Sequence, residues 1–179
     1  FATDTRVPYP YQLQAGFEVE RRMEEGKHHH LIVLPTGSGK TYTAKITLKE
    51  LIEHKKVEKG VLVLTHRDEI LGQLHREFDE VVPGWNATIV SAAQRKSDFN
   101  GKVVIASVQT LVNRLVQLDP NQFDLVISDE AHHVPSPTWI KILHHMGILG
   151  ERGVANEPIE KNHIGLTATP IRADDIPLA

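Results

Sequence analysis

The sequence predicts a doubly wound α/β domain, a mainly parallel β-sheet with helices on both faces. Three observations carry that prediction. Short runs rich in Val, Ile and Leu recur without polar alternation, which is how strands buried on both faces of a parallel sheet read. Longer amphipathic stretches separate these runs, giving the strand-helix repetition of α/β proteins. One run leads directly into a glycine-rich loop and then a helical stretch, the order required of a phosphate-binding unit.

The elements follow in order. Residues 1–30 read as an N-terminal arm and a first helix. The apolar runs are Leu31–Leu34, Val61–Leu64, Ala87–Val90, Val103–Ala106, Leu125–Ser128 and His163–Leu166. The stretch from Gly39 to about His54 carries Ala44, Ile46, Leu48, Leu51 and Ile52 at helical spacing. A second, Arg67 to about Val82, carries Ile70, Leu71, Leu74 and Phe78, and a third, Val108–Leu118, carries Leu111, Val112 and Leu115. Ser91–Lys102 is polar and runs through the turn signal Asn100-Gly101, so it reads as a loop, as does Gly147–Asn162. Residues 31–170 are expected to form the main domain, and 171–179, which lack periodicity, a linker.

Composition narrows the function classes. A chain of 179 residues with a 40% hydrophobic and 24% charged content suits one ordinary globular domain. Without cysteine there is no disulfide framework, thiol nucleophile or Cys-based zinc site. The apolar runs are far shorter than the roughly 18 residues a membrane span needs. No signal-peptide pattern is visible, so the expected setting is the cytoplasm, or the nucleus in a eukaryote. Beginning at Phe1, the chain is expected to be a piece of a longer protein. A net charge of −3 leaves any nucleic-acid site to a local patch. The eleven histidines do not predict zinc: His144 and His145 point in different directions on a helix, and no zincin pattern occurs. Trp85 and Trp139 are expected to serve packing.

Two motifs carry chemistry. In Pro35-Thr36-Gly37-Ser38-Gly39-Lys40-Thr41, Gly37 and Gly39 permit a tight turn that aims backbone N–H groups at phosphate, and the helix N-terminus adds partial positive charge. Lys40 suits the β- and γ-phosphates, and Thr41 offers a hydroxyl to Mg²⁺. Leu34 stands where the general pattern has glycine. Downstream, Leu125-Val126-Ile127-Ser128-Asp129-Glu130-Ala131-His132 puts two carboxylates at a strand's carboxyl end, where parallel sheets bind ligands. Asp129 suits Mg²⁺, and Glu130 suits the deprotonation of an attacking water.

Taken together, these motifs and their neighbours resemble helicase superfamily 2, specifically its first RecA-like motor domain, over nearly the whole chain. Pro35–Thr41 looks like motif I, and Asp129-Glu130-Ala131-His132, followed by His133, like a DEAH-type motif II. Thr167-Ala168-Thr169 looks like motif III, Leu64–Leu71 like motif Ia and Ala106–Leu111 like motif Ib. The doubled histidine and Gly165–Arg172 look most like the XPB-like and restriction-translocase DNA motors. Pro10-Tyr11-Gln12 resembles their adenine-reading motif, with Tyr9 where the family usually has arginine. The resemblance implies a RecA-like P-loop NTPase that uses ATP and Mg²⁺. Gln12, Tyr9, Thr36, Gly37, Ser38, Gly39, Lys40 and Thr41 would bind ATP. His132, Thr167 and Thr169 would couple nucleotide state to the strand path. Thr65, His66, Arg67, Ser107, Gln109 and Thr110 would contact nucleic acid, DNA being favoured over RNA. A second RecA-like domain is implied as partner. An ATP-gated sensor or clamp and an RNA helicase share these motifs, whereas a small phosphate-loop kinase would need a basic lid that the sequence lacks.

Overall fold

A computed structural model of the chain describes residues 6–34, 39–93, 97–130, 136–148 and 161–168. All six apolar runs are strands: β1 (His29–Val33), β2 (Val61–Thr65), β3 (Ala87–Val90), β4 (Val103–Ser107), β5 (Leu125–Ser128) and β6 (Asn162–Thr167). They form one sheet in the order β1-β6-β5-β2-β4-β3, and every pairing is parallel. The helices are α1 (Pro10–Glu24), α2 (Lys40–Glu53), α3 (Leu71–Phe78), α4 (Val108–Leu111) and α5 (Pro137–His145).

Strand side chains alternate between the faces, and each face has its own helices. On one face Val61, Val63, Val103, Ile105, Leu125 and Ile127 meet Leu48 and Leu51 of α2, Leu71, Leu74 and Phe78 of α3, and Val19 of α1. On the other, Leu62, Leu64, Val104 and Val126 meet Val108 and Leu111 of α4 and Trp139, Ile142 and Leu143 of α5. The expected doubly wound fold is therefore present. α1 packs on α2, and the approach is close enough that a Cβ on Gly16 would lie 2.8 Å from Glu50 Oε2. An ion pair from His54 to Glu20, 2.8 Å, joins the same two helices. The Asp124 carboxylate accepts from the backbone N–H groups of Glu58, Lys59 and Gly60 at 2.8, 3.1 and 3.4 Å, tying the start of β5 to the turn before β2.

Two helices are shorter than their apolar spacing predicts. α3 starts only after a 3-10 turn at Asp68–Ile70 and ends at Phe78, not Val82. The chain leaves it at Asp79, which adopts an extended conformation and whose carboxylate accepts from Ala87 N–H at 2.8 Å. α4 gives way after Leu111 to a 3-10 stretch, Val112–Gln117, broken at Arg114 (φ −127°, ψ 19°). The Arg114 guanidinium donates to Ser91 O at 3.2 Å and Ser97 Oγ at 3.0 Å. These tertiary bonds outweigh a helix preference worth only tenths of a kcal/mol per residue, roughly. β6 is one residue longer at each end than its apolar run. The described parts of the 91–102 loop hold no helix or strand. Most of the 147–162 loop and the expected linker 171–179 lie outside the described residues. Among those described, no helix is long and apolar enough to cross a membrane.

Candidate nucleotide and nucleic-acid site

The carboxyl ends of β1, β6 and β5 bring the phosphate-loop helix and the acidic pair together. Leu34 N–H donates to Thr167 O at 3.1 Å, so the end of β1 is held to the end of β6. Gly39 is the N-cap of α2 and sits at φ +76°, a left-handed conformation that glycine adopts without strain. Lys40 opens α2, and its Nζ lies 3.0 Å from Asp129 Oδ1 and 2.8 Å from Glu130 Oε1. Burial alone would lower the Lys40 pKa; the hydrogen bond to Glu130 and the charge of Asp129 outweigh it and hold the ammonium above the ordinary lysine value.

Asp129 is buried, and its N–H donates to Leu64 O at 2.8 Å. Among the described residues its Oδ1 has no hydrogen-bond partner beyond the 3.0 Å contact with the Lys40 ammonium. A buried carboxylate oxygen with capacity to spare is a fitting ligand for a hard cation such as Mg²⁺. Thr41, half-buried in the first turn of α2, adds a hydroxyl of the same hard-oxygen type. Glu130 adopts φ +57°, a conformation uncommon for a residue with a side chain. Such strain costs about 1–3 kcal/mol and gathers at functional positions.

On the adjoining side, Gln12 of α1 is buried, with its Oε1 accepting from Tyr9 N–H at 2.9 Å. A Cβ on Gly39 would come within 3.0 Å of Gln12 Nε2, so the expected adenine-motif glutamine lies against the end of the phosphate loop. Tyr9, 66% exposed, stacks on Tyr11 with ring centroids 5.9 Å apart and planes 7° from parallel. Thr167 ends β6 in the buried interior. The expected Thr36, Gly37, Ser38, His132 and Thr169 lie outside the described residues.

Next to this site, β2 and β4 pair with Thr65 opposite Ser107, which sets their following loops side by side. Thr65 is buried, and its Oγ1 accepts from Arg67 N–H at 3.2 Å. Ser107 stands at the N-cap position of α4, but its hydroxyl donates to Thr110 Oγ1 at 3.0 Å instead of capping the backbone; both residues are buried. Arg67 and Gln109 are exposed and His66 is half-buried. Gln109 Nε2 donates to His66 O at 2.9 Å, joining the two loops directly.

Behind both loops lies a polar group that the sequence reading did not single out. Trp139 Nε1 donates to Ser128 Oγ at 3.0 Å, and the same hydroxyl meets His163 Nε2 at 2.7 Å. All three residues are buried. Burial, reinforced by the nearby charges of His29 and His30, pushes the His163 pKa down to about 3. The sequence signals were a serine and a histidine interrupting apolar strands, but only the sheet order pairs them. Trp139 is a packing residue, as expected, and so is the half-buried Trp85, which packs against the other core with the Lys102 ammonium 5.1 Å above its ring.

Comparison with known proteins agrees with this geometry. Residues 6–172 match the family described as type III restriction enzyme, res subunit. The chain is 35% identical over 171 residues to the protein called mitochondrial ATP-dependent helicase irc3 in Schizosaccharomyces pombe, covering 95% of this chain and 27% of that one. It is 30% identical to the protein called ATP-dependent helicase IRC3 in Saccharomyces cerevisiae, covering 92% and 24%. The chain thus spans about a quarter of these relatives' length. In fold it is similar to the UvsW helicase from bacteriophage T4, with a TM-score of 0.62 and 19% identity over 94% of this chain and 55% of the other. It is likewise similar to the Type ISP restriction-modification enzyme LlaGI, solved with a DNA substrate mimic, with a TM-score of 0.68 and 18% identity over 93% and 18%. Motifs, sheet and family match converge: the chain belongs to the family of the type III restriction enzyme res subunit, as a first RecA-like motor domain of helicase superfamily 2.

Proposed function

We propose that this domain drives an ATP-dependent translocase or helicase that moves along nucleic acid, DNA in preference to RNA. The observation that carries the reading is the meeting of Lys40 with Asp129 and Glu130, beside two joined loops that present Arg67, Gln109 and His66. ATP phosphates would take over Lys40, and Gln12 with Tyr9 would face the adenine. Thr41 and Asp129 would hold Mg²⁺, which when bound supplies charge neutralisation on the phosphates. Released from Lys40, Glu130 accepts a proton from water as that water attacks the γ-phosphorus in line and the bond to the β-phosphate oxygen breaks. His132, read as part of a DEAH box, and Thr167 and Thr169 would link this step to the strand path. Arg67, Gln109 and His66 would face nucleic-acid phosphate, with Thr65, Ser107 and Thr110 shaping the loops behind them. Phosphate contacts carry no sequence information, so this domain would bind with little sequence preference.

In the proposed layout residues 1–30 serve the base, 31–170 form the motor domain, and 171–179 lead to a second RecA-like domain. That domain would supply an arginine finger and close the cleft. The cytoplasm, or a eukaryotic nucleus, is the proposed setting, and imaging of the tagged parent protein decides it against mitochondria.

The deciding experiment is the ATPase rate of the full-length parent, without nucleic acid and then with single- and double-stranded DNA and RNA, using Glu130→Gln as the blank. Stimulation by DNA supports the reading. Preference for RNA keeps the motor and overturns the DNA assignment, and no stimulation by any nucleic acid overturns the motor reading. Triplex displacement then separates a translocase from an ATP-gated clamp.

A further inference from the structure

We propose that Trp139 and Ser128 are positioning residues that pass nucleic-acid engagement from the loops after β2 and β4 to the carboxylates Asp129 and Glu130. The inference rests on the reading of those loops as the nucleic-acid face.

A continuous set of contacts joins the two places. Gln109 Nε2 donates to the His66 carbonyl at 2.9 Å. The His66 ring lies against the Trp139 indole, with centroids 6.4 Å apart. Trp139 Nε1 donates to Ser128 Oγ at 3.0 Å, and Ser128 immediately precedes Asp129. His163 Nε2, 2.7 Å from the same oxygen, ties the hydroxyl to β6, whose far end is Thr167. A backbone bond runs parallel to this path: Asp129 N–H donates to Leu64 O, two residues before His66.

This arrangement is more than packing requires. The surrounding face is apolar, made of Leu, Val, Ile and Ala with Phe123 and Met146. A serine and a histidine placed among them are tolerated only because each finds a partner, and the partners fix the orientation of all three side chains. Water does not compete for the Trp139–Ser128 bond, since both residues are buried. Displacement of the His66 loop that draws the indole with it must therefore either carry Ser128 along or leave a buried donor unmet. The position of Ser128 then shifts with it, and with Ser128 the strained Glu130 backbone two residues on. Ser136 strengthens the hold on the indole's helix, because its Oγ accepts from Trp139 N–H at 3.4 Å at the N-cap of α5.

The test uses the full-length parent and three variants, Trp139→Phe, Ser128→Ala and the double variant. Basal ATPase, DNA-stimulated ATPase and DNA affinity by fluorescence anisotropy are measured for each. The expected result is that basal rate and DNA affinity stay within about twofold, while stimulation falls on the order of fivefold in each single variant. Because both substitutions cut one link, the double variant falls no further than the worse single one. Ser128→Ala removes a single oxygen atom, so the test stands even where Trp139→Phe does not fold. Stimulation equal to the parent's, losses that multiply in the double variant, or a basal rate that falls in proportion would each overturn the proposal. A parent that responds to no nucleic acid overturns the functional reading and this inference together. A responsive parent with equally responsive variants overturns the inference alone.

Discussion

Lys40 reaches both carboxylates of the acidic pair, so its ammonium and the proposed base Glu130 form an ion pair. ATP must separate them. Glu130→Gln is expected to leave the ATP dissociation constant within a few-fold while turnover drops by about 10²–10⁴, the usual worth of a general base; equilibrium binding and steady-state turnover check it. Lys40→Ala should instead weaken ATP binding itself, seen in the same binding assay. Two histidines give a pH signature. Burial lowers the pKa of His30 to about 4 and of His163 to about 3, both below the unfolded value of about 6.5. Above that value both are neutral, folded or unfolded, and their contribution is unaffected. As pH falls through it, the unfolded chain takes up protons that the folded one refuses. Stability is then lost at about 1.4 kcal/mol per histidine per pH unit, down toward the folded pKa values. Melting temperature should therefore drop between pH 7 and pH 5, and His30→Gln should make the drop shallower. At this scale the sequence was legible where chemistry is local. Gly39-Lys40-Thr41 and Asp129-Glu130 are readable as short strings, whereas the contact between Lys40 and Glu130 spans ninety positions of chain, and no local pattern encodes it.

Among the elements, the strands were the most readable, because burial on both faces leaves an unbroken apolar run. Helix ends were less so. The apolar spacing of 67–82 and 108–118 is real, yet Asp79 finds a partner at Ala87, beyond the helix, and Arg114 one at Ser91, well before it, and these bonds end the helices sooner. Sheet order, with β6 between β1 and β5, sets the register that joins Ser128 to His163. Two glycines separate what packing tolerates from what it forbids. A Cβ at Gly60 would lie 2.9 Å from Gln122 O and 3.0 Å from Lys102 O, both backbone atoms of neighbouring segments. Gly60→Ala should therefore cost about 1–3 kcal/mol. At Gly16 the nearest atom is the end of the flexible Glu50 side chain, which can swing away. Gly16→Ala should be close to neutral or stabilising by up to about 1 kcal/mol through helix propensity. Urea denaturation of the two variants measures both.

For the whole molecule, the proposed layout makes the nucleotide face one half of a cleft. Without a second domain to add positive charge at the γ-phosphate, this 179-residue chain alone should hydrolyse ATP far more slowly than the parent, by on the order of 10³–10⁵ if an arginine finger is what is missing. Robust saturable turnover by the isolated chain would refute that expectation. The buried indole has a further, optical consequence. The chain holds two tryptophans, and Trp139 is fully enclosed beside Ser128 and His163 while Trp85 meets solvent. Trp85→Phe would leave a single chromophore whose emission is shifted to the blue. Such a protein is its own fluorimeter: the brightness and colour of one ring would report, without any attached dye, whatever moves the end of β5.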